Sequence, residues 1–265
     1  MEQVLKYGMN TIPNYAMVRS DARYHGAPWY EKAKNANIII LGCGGIGSHL
    51  ALCLSKTSPA RLDLVDMDTV DDTNLSGQAY MQYDIGVQKV VALSQLIKAF
   101  GYQRCVSAIN RTLHNVAIAD YQIVFTGLDN MEARKDAFTK WKTSNKNYSG
   151  ALFVDGRMAA EHLIVLAVYG GDEYSIKNYE ENWLFDDSEA EETVCSYKQT
   201  YYCANMIAGF MTNVYVNFLA SMCDSSEARK PKNSIELNRT KPLVIDYDCA
   251  TMNLKIEQKC HQLLV

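Results

Sequence analysis

Short unbroken apolar runs alternate along this chain with stretches whose apolar residues recur every three to four positions. Asn37 to Leu41 (NIIIL) is one such run and predicts a buried strand. It ends in GCGGIG, after which Ser48 to Leu54 keeps helical spacing. Arg61 to Val65 predicts a second strand that closes on Asp66. From about Gly86 to Phe100 a helix is predicted, with apolar residues at Val87, Val90, Val91, Leu93 and Leu96. Cys105 to Ile109 and Gln122 to Phe125 read as further strands, the latter leading through TGLDN into a polar helix from Glu132 to about Lys142. Ala151 to Val154 and Leu163 to Val168 extend the series. Strands and helices alternating at this spacing predict an α/β protein with a doubly wound, mostly parallel sheet and right-handed crossovers.

The pattern then changes. Glu180 to Glu192 is crowded with carboxylates and carries one apolar break, Trp183 to Phe185, so a mobile, solvated segment is expected. It leads to Cys195 and to a helix from about Tyr201 to Met222. A polar stretch, Asp224 to Asn233, precedes a strand-like tail around Leu243 to Tyr247. The expected organisation is an N-terminal helical segment over 1–35, a nucleotide-binding domain over 36–222 and a C-terminal strand-like extension over 223–265.

Composition narrows the partners. The 265 residues are 48% hydrophobic and 21% charged, enough to bury a full core. The net charge of −4, from 30 acidic and 26 basic residues without a long basic run, gives no support to a nucleic-acid or anionic membrane surface. The N-terminus shows no apolar signal-like run, and the longest apolar stretch, Met206 to Met222, is interrupted by Asn213 and Asn217, so a cytoplasmic protein is expected. Eight cysteines in that setting read as reduced thiols, and without a Cys-x-x-Cys pair a four-thiolate zinc has no basis.

Gly42, Gly44 and Gly47, with Gly45 between them, fit G-x-G-x-x-G directly after a strand, where glycines let backbone approach phosphate and the following helix N-terminus supplies amide donors. Asp66 ends the second strand, where a carboxylate can accept hydrogen bonds from ribose hydroxyls. This Rossmann-like pair points to a nucleotide or dinucleotide without choosing between them, and taken alone it favours NAD.

Four segments shift the reading: GCGGIGS at 42–48, DMDTVDDTNLSGQ at 66–78, DIGVQK at 84–89 and TGLDNMEAR at 126–134. Together they resemble the ThiF/MoeB/HesA family, the bacterial relatives of ubiquitin-activating (E1) enzymes, over about residues 15 to 220. The resemblance implies an ATP-dependent adenylyltransferase that activates the C-terminal carboxylate of a ubiquitin-like or sulfur-carrier protein. By the same resemblance Asp66 is the ribose-binding acid, Asn74 and Gln78 belong to an Asn-Leu-x-Arg-Gln signature, Lys89 is the phosphate lysine, and Asp129, beside Asn130, is the magnesium ligand. Asp68 is carried as a nucleotide-side candidate, although Asp68 and Asp72 by themselves read as solvated turn carboxylates. The chemistry asks for these types independently: a carboxylate attacking a phosphate brings anions together, and a lysine and a carboxylate-held Mg2+ offset the repulsion.

The chain departs from the signature at Gly77, where relatives carry arginine. The cations available to replace it are Arg23, which resembles the arginine relatives lend across a homodimer interface, then Arg19, and Arg157 in VDGRM, expected near the pocket mouth or in a surface ion pair. Cys195 occupies the position of the catalytic thiol in similar proteins that form a thioester, whereas Cys43, Cys53 and Cys203 read as packing. Two other functions stand beside this one: an NAD-dependent oxidoreductase, with no use for Lys89 and Asp129, and a non-catalytic E1-like scaffold, which Gly77 favours.

Overall fold

A computed structural model describes residues 24, 26–100, 105–186, 200–223 and 241–258. A short helix α1 (Pro28–Ala33) leads into β1 (Asn37–Leu41), whose isoleucines are fully buried, and the glycine turn then opens α2 (Gly45–Ser55). β2 (Arg61–Val65) follows, then two single-turn 3-10 segments, α3 (Lys89–Phe100) and β3 (Val106–Ile109). β4 (Ile123–Thr126), α4 (Met131–Asn145), β5 (Leu152–Ala159), β6 (His162–Tyr169), α5 (Glu173–Asn182), α6 (Tyr201–Ser221), β7 (Pro242–Asp248) and β8 (Asn253–Gln258) complete the described chain. The strands form one eight-stranded sheet in the order β3-β2-β1-β4-β5-β6-β7-β8.

The first five strands are parallel, with β1 central between β2 and β4, and β6 to β8 continue the sheet antiparallel. The fold is therefore α/β and doubly wound on its parallel half, as expected, but the second half is a meander. β5 and β6 are a hairpin closed at Ala160 and Glu161, with Ala160 at φ 54. The tail around Leu243 to Tyr247 is not a lone strand: it pairs with both β6 and β8. α6 packs against α2, α1, β5 and β6 on one face. The other face is an aromatic cluster in which Phe138 and Trp141 of α4, Phe153 of β5 and Tyr179 of α5 have ring centroids 4.7 to 5.9 Å apart.

That cluster corrects one expectation. Glu180 and Glu181, assigned from sequence to a mobile acidic segment, lie in α5, which begins at an Asp172 cap accepting from the amides of Tyr174 and Ser175. Burial of Ile176 and Tyr179 and the Lys142–Glu180 ion pair hold this helix down despite its carboxylates. Among the described residues no helix is long and apolar enough to cross a membrane.

One buried carboxylate ties the elements together. Asp155, on β5 and fully buried, accepts from Thr126 Oγ1 at 2.7 Å, Arg157 Nε at 2.9 Å, Tyr179 Oη at 3.0 Å and Arg134 Nη1. Removing it strands two guanidinium groups away from bulk water. Asp155→Ala is expected to lower unfolding free energy by about 3 to 5 kcal/mol, and Tyr179→Phe, which leaves the carboxylate three donors, by about 1 kcal/mol; denaturant titration of the two variants checks the order.

Candidate functional site

The site is built on the carboxyl ends of β1, β2 and β4, where an open α/β sheet leaves a crevice. Gly42 leaves β1 at φ +88, its amide bonded to Val65 O at 2.9 Å, and a Cβ there would come within 2.8 Å of Gly127 O. At Gly47 a Cβ would fall 1.8 Å from Gly42 O, so the turn closes only with glycine. Gly44 differs: a Cβ there meets nothing within 4 Å. Gly44 is the N-cap of α2 and offers no side chain, so Gly45 and Ile46 begin the helix with no side-chain cap to take their amides. Uncapped amides beside an open glycine fit a phosphate.

Asp66 locks this turn. Its Oδ2 accepts from Cys43 N at 2.7 Å and its Oδ1 from Asp68 N at 2.8 Å. Tyr80, buried in the same place, donates its hydroxyl to Cys43 O at 2.6 Å. Burial first, then the adjacent Cys43 thiol and Asp66 carboxylate, push its phenol far up, so it stays a neutral donor. The segment from Gly77 to Tyr80 is laced to α2 by two further contacts: Ala79 N donates to Ser48 Oγ at 3.0 Å and His49 Nε2 reaches Gly77 O at 3.2 Å. His49 is buried with Tyr201 edge-on at 4.6 Å, and that burial lowers its pKa. Its bond to a carbonyl requires the Nε2–H tautomer.

Lys89 opens α3 and is only 7% exposed. Its Nζ donates to Asp68 Oδ2 at 2.9 Å and its backbone amide to Asp68 O at 2.9 Å. It is not the solvated helix-face lysine that an isolated position suggests, and Asp68, though exposed, is held in an ion pair. Gln78 is buried with its Oε1 lacking any hydrogen-bond donor among the described residues, an acceptor that a ligand could satisfy. Asn74 is engaged locally: its Oδ1 accepts from Asp71 N at 3.0 Å, in a reciprocal cap with Asp71.

Asp129 follows β4 and is exposed. The cap of α4 belongs to Asn130, whose Oδ1 accepts from Ala133 N at 2.8 Å while its Nδ2 donates to Asp129 Oδ1 at 3.0 Å. Asn130 thus caps the helix, and Asp129 is left exposed beside it. Arg134, buried, fixes this loop by donating to Leu128 O and Asp155. Among the described residues no group of three or more His, Cys, Asp or Glu gathers as a metal cluster.

Arg157 is neither a pocket-mouth cation nor a surface ion pair. It donates to Asp155 and, at 2.7 Å, to Trp183 O, with the Phe185 ring 5.6 Å away. Of the other described arginines, Arg61 and Arg134 are also held by carboxylates, and Arg111 lies exposed two residues past β3. Arg23, Arg19 and Cys195 lie outside the described residues. Cys43 and Cys203 are buried thiols, as expected from their apolar surroundings; burial pushes both up, Cys203 to about 12, and Cys203 lies 3.6 Å from Cys249.

A family model described as the ThiF family matches residues 18–245. The chain belongs to the ThiF family. Curated relatives of this ThiF-family chain include the NEDD8-activating enzyme E1 catalytic subunit of Caenorhabditis elegans, 31% identical over 41% of this chain and 28% of the relative. Another is the adenylyltransferase and sulfurtransferase MOCS3 of Dictyostelium discoideum, 33% identical over 38% of this chain and 25% of the relative. The matched region thus spans about a quarter of these relatives' length. Among solved structures, E. coli MccB with AMPCPP and MccA aligns at TM-score 0.65 and 16% identity, covering 93% of this chain and 73% of that one. PaaA aligns at TM-score 0.63 and 18% identity, covering 87% and 66%. At such identities the likeness is one of fold.

Sequence reasoning missed Tyr80, His49 and Arg134 as supports of the site. All three stand in or beside the quoted motifs, but their partners lie 37, 28 and 21 positions away, a separation no local pattern reveals.

Two outcomes test this geometry. Gly47→Ala is expected to destabilise the fold by about 3 kcal/mol, because the clash is with backbone, whereas Gly44→Ala should melt like the parent and lose nucleotide affinity, read by calorimetry. His49 is buried neutral and its folded pKa lies below its unfolded one, so the unfolded chain binds more protons as pH falls through about 6.5. Stability is then held above that pH and lost between it and the lower folded value; His49→Gln should reduce the slope of unfolding free energy against pH by up to about one proton in that window.

Proposed function

We propose that this chain uses ATP to adenylate the C-terminal carboxylate of a ubiquitin-like or sulfur-carrier protein. The observation that carries the reading is Lys89: a lysine 7% exposed at the carboxyl edge of the sheet, beside Asp68 and next to the Asp66-locked glycine turn. A buried ammonium needs an anionic partner, and Asp68, itself exposed, leaves it room to turn toward phosphate.

In this reading the uncapped N-terminus of α2 and Gly44 receive phosphate oxygens. Asp66 keeps lone pairs for ribose hydroxyls after accepting its two amides. Gln78 supplies its unpartnered carbonyl, and Asn74, Asp68 and Asn130 border the nucleotide. The carrier carboxylate attacks the α-phosphorus, the bond to the β-phosphate oxygen breaks, and pyrophosphate leaves. Lys89 offsets the negative charge that this brings together. Magnesium, when bound, supplies the remaining positive charge; Asp129 would hold it, with phosphate oxygens completing the ligands. The arginine absent at Gly77 is replaced by Arg23, lent across a homodimer. The Cys195 thiolate then attacks the acyl carbon of the adenylate, the bond to the AMP oxygen breaks, and AMP leaves as the thioester forms; the described buried thiols are held protonated. A cytoplasmic setting suits free thiols.

Gly77 favours one rival, a scaffold that binds without turnover. ATP–pyrophosphate exchange with a carrier protein separates the two. Lys89→Ala and Asp129→Ala should each lower exchange at least about 100-fold with unchanged circular dichroism, while Cys195→Ser retains exchange and loses the thiol-sensitive carrier adduct. Equal exchange in Lys89→Ala and the parent would sink the proposed site; no exchange in the parent, with nucleotide still bound, would favour the scaffold.

A further inference from the structure

Two thiols that the adenylation reading does not use face one another at the junction of α6 and β7. Cys203 stands in the first turn of α6 and is fully buried, whereas Cys249 directly follows β7, in the turn toward β8, and is half-buried. The Cys249 thiol donates to Cys203 Sγ at 3.6 Å, across 46 positions of chain. Other thiols are spent on backbone: Cys43 donates to Val65 O at 3.8 Å and Cys223 to Leu219 O at 3.4 Å.

The turn between β5 and β6 bridges the two elements that carry the pair. Cys249 N donates to Glu161 O at 2.8 Å, Thr200, the residue before α6, donates its hydroxyl to Ala160 O at 3.4 Å, and Tyr202 Oη donates to Glu161 Oε1. Asp248 Oδ1 accepts from Thr251 N at 3.0 Å, and the Tyr247 ring lies 5.9 Å from Phe210 of α6. Both backbones are therefore anchored, and only the side chains need to turn. A disulfide sets its sulfurs about 1.5 Å closer than this pair stands, a distance that rotation about χ1 covers.

Burial divides the roles of the two sulfurs. A helix N-terminus favours a thiolate, but at Cys203 burial outweighs it: burial first, then the bond with Cys249 and the nearby Cys249 and Glu161 charges, push this thiol up to about 12. Cys203 is thus held protonated and out of reach of solutes. Cys249 is the sulfur a solute meets.

We propose that Cys203 and Cys249 form a reversible dithiol–disulfide site that reacts with low-molecular-weight disulfides of the glutathione type. The Cys249 thiolate attacks one sulfur of the small disulfide, whose S–S bond breaks, leaving a mixed disulfide on Cys249 and releasing one small thiolate. That thiolate takes the Cys203 proton. Cys203 then attacks the Cys249 sulfur, the mixed S–S bond breaks, and the second small thiolate departs to take up the proton that Cys249 gave up. The protein loses two hydrogens and two electrons, and the small disulfide becomes two thiols. The product staples the first turn of α6 to the end of β7, and excess small thiol reverses it. The site does not rest on the adenylation reading.

Incubating the full chain with oxidised glutathione, then alkylating free thiols and mapping peptides without reductant, tests it. The parent should yield a peptide pair linked through Cys203 and Cys249, and its Tm should rise by about 10 °C, because the link closes a long loop, and fall back with dithiothreitol. Cys203→Ala should keep the first step and trap glutathione on Cys249 without the rise in Tm. Cys249→Ala, at the half-buried position where truncation disturbs the fold least, should leave Cys203 unmodified. A parent that keeps both thiols free, one that stops at the mixed disulfide on Cys249, a link that leaves Tm unmoved, or Cys203 modified as readily in Cys249→Ala would each overturn the site. Peptide mapping reads these two positions separately from the chain's other cysteines.

Discussion

The Asp155 carboxylate is the constraint on which the α4 and α5 face of the sheet depends. It is buried midway along β5 and takes donors from β4, α4, β5 and α5. A charge in that position costs free energy on transfer from water, and it is tolerated because every donor is supplied. One of those donors, Arg134, also bonds Leu128 O, so the loop presenting Asp129 is aimed from inside the core. The aromatic cluster of α4, β5 and α5 closes over this polar centre and keeps water out.

On the other side of β4 the glycine turn is held by a second carboxylate network. Asp66 takes the amides of Cys43 and Asp68, Tyr80 takes the Cys43 carbonyl, and Gly127 packs where only glycines allow the two turns to approach. Lys89 enters through Asp68. The parts that would face a nucleotide are thus fixed by protein contacts rather than assembled by a ligand, the condition under which electrostatic stabilisation is most effective.

The parallel half of this architecture was legible because β1, β2 and β4 are short, largely apolar runs buried on both faces. β1 and β2 fall on Asn37–Leu41 and Arg61–Val65, where such runs end at a glycine turn and at Asp66. The antiparallel half was less so. β8 reads Asn-Leu-Lys-Ile-Glu-Gln and buries neither face, so the sequence carries no core signal there. α5 looked like part of a solvated acidic stretch, because its fixing residues, Ile176 and Tyr179, are outnumbered by carboxylates. The site motifs were readable as wording, but not the use each residue is put to: Asn130 rather than Asp129 caps α4, and Arg157 serves Asp155 instead of the pocket. Those assignments depend on contacts between residues far apart in the chain.

The double duty of Asp66 limits how this position can vary. Both of its oxygens already accept a backbone amide, so an isosteric asparagine would turn an NH2 group toward either Cys43 N or Asp68 N, donor against donor. Glutamate would carry the oxygens a methylene too far to meet the same two amides. The chain therefore has little freedom to alter this side chain without loosening the glycine turn, and drift in the surrounding surface would have to come from the residues around it.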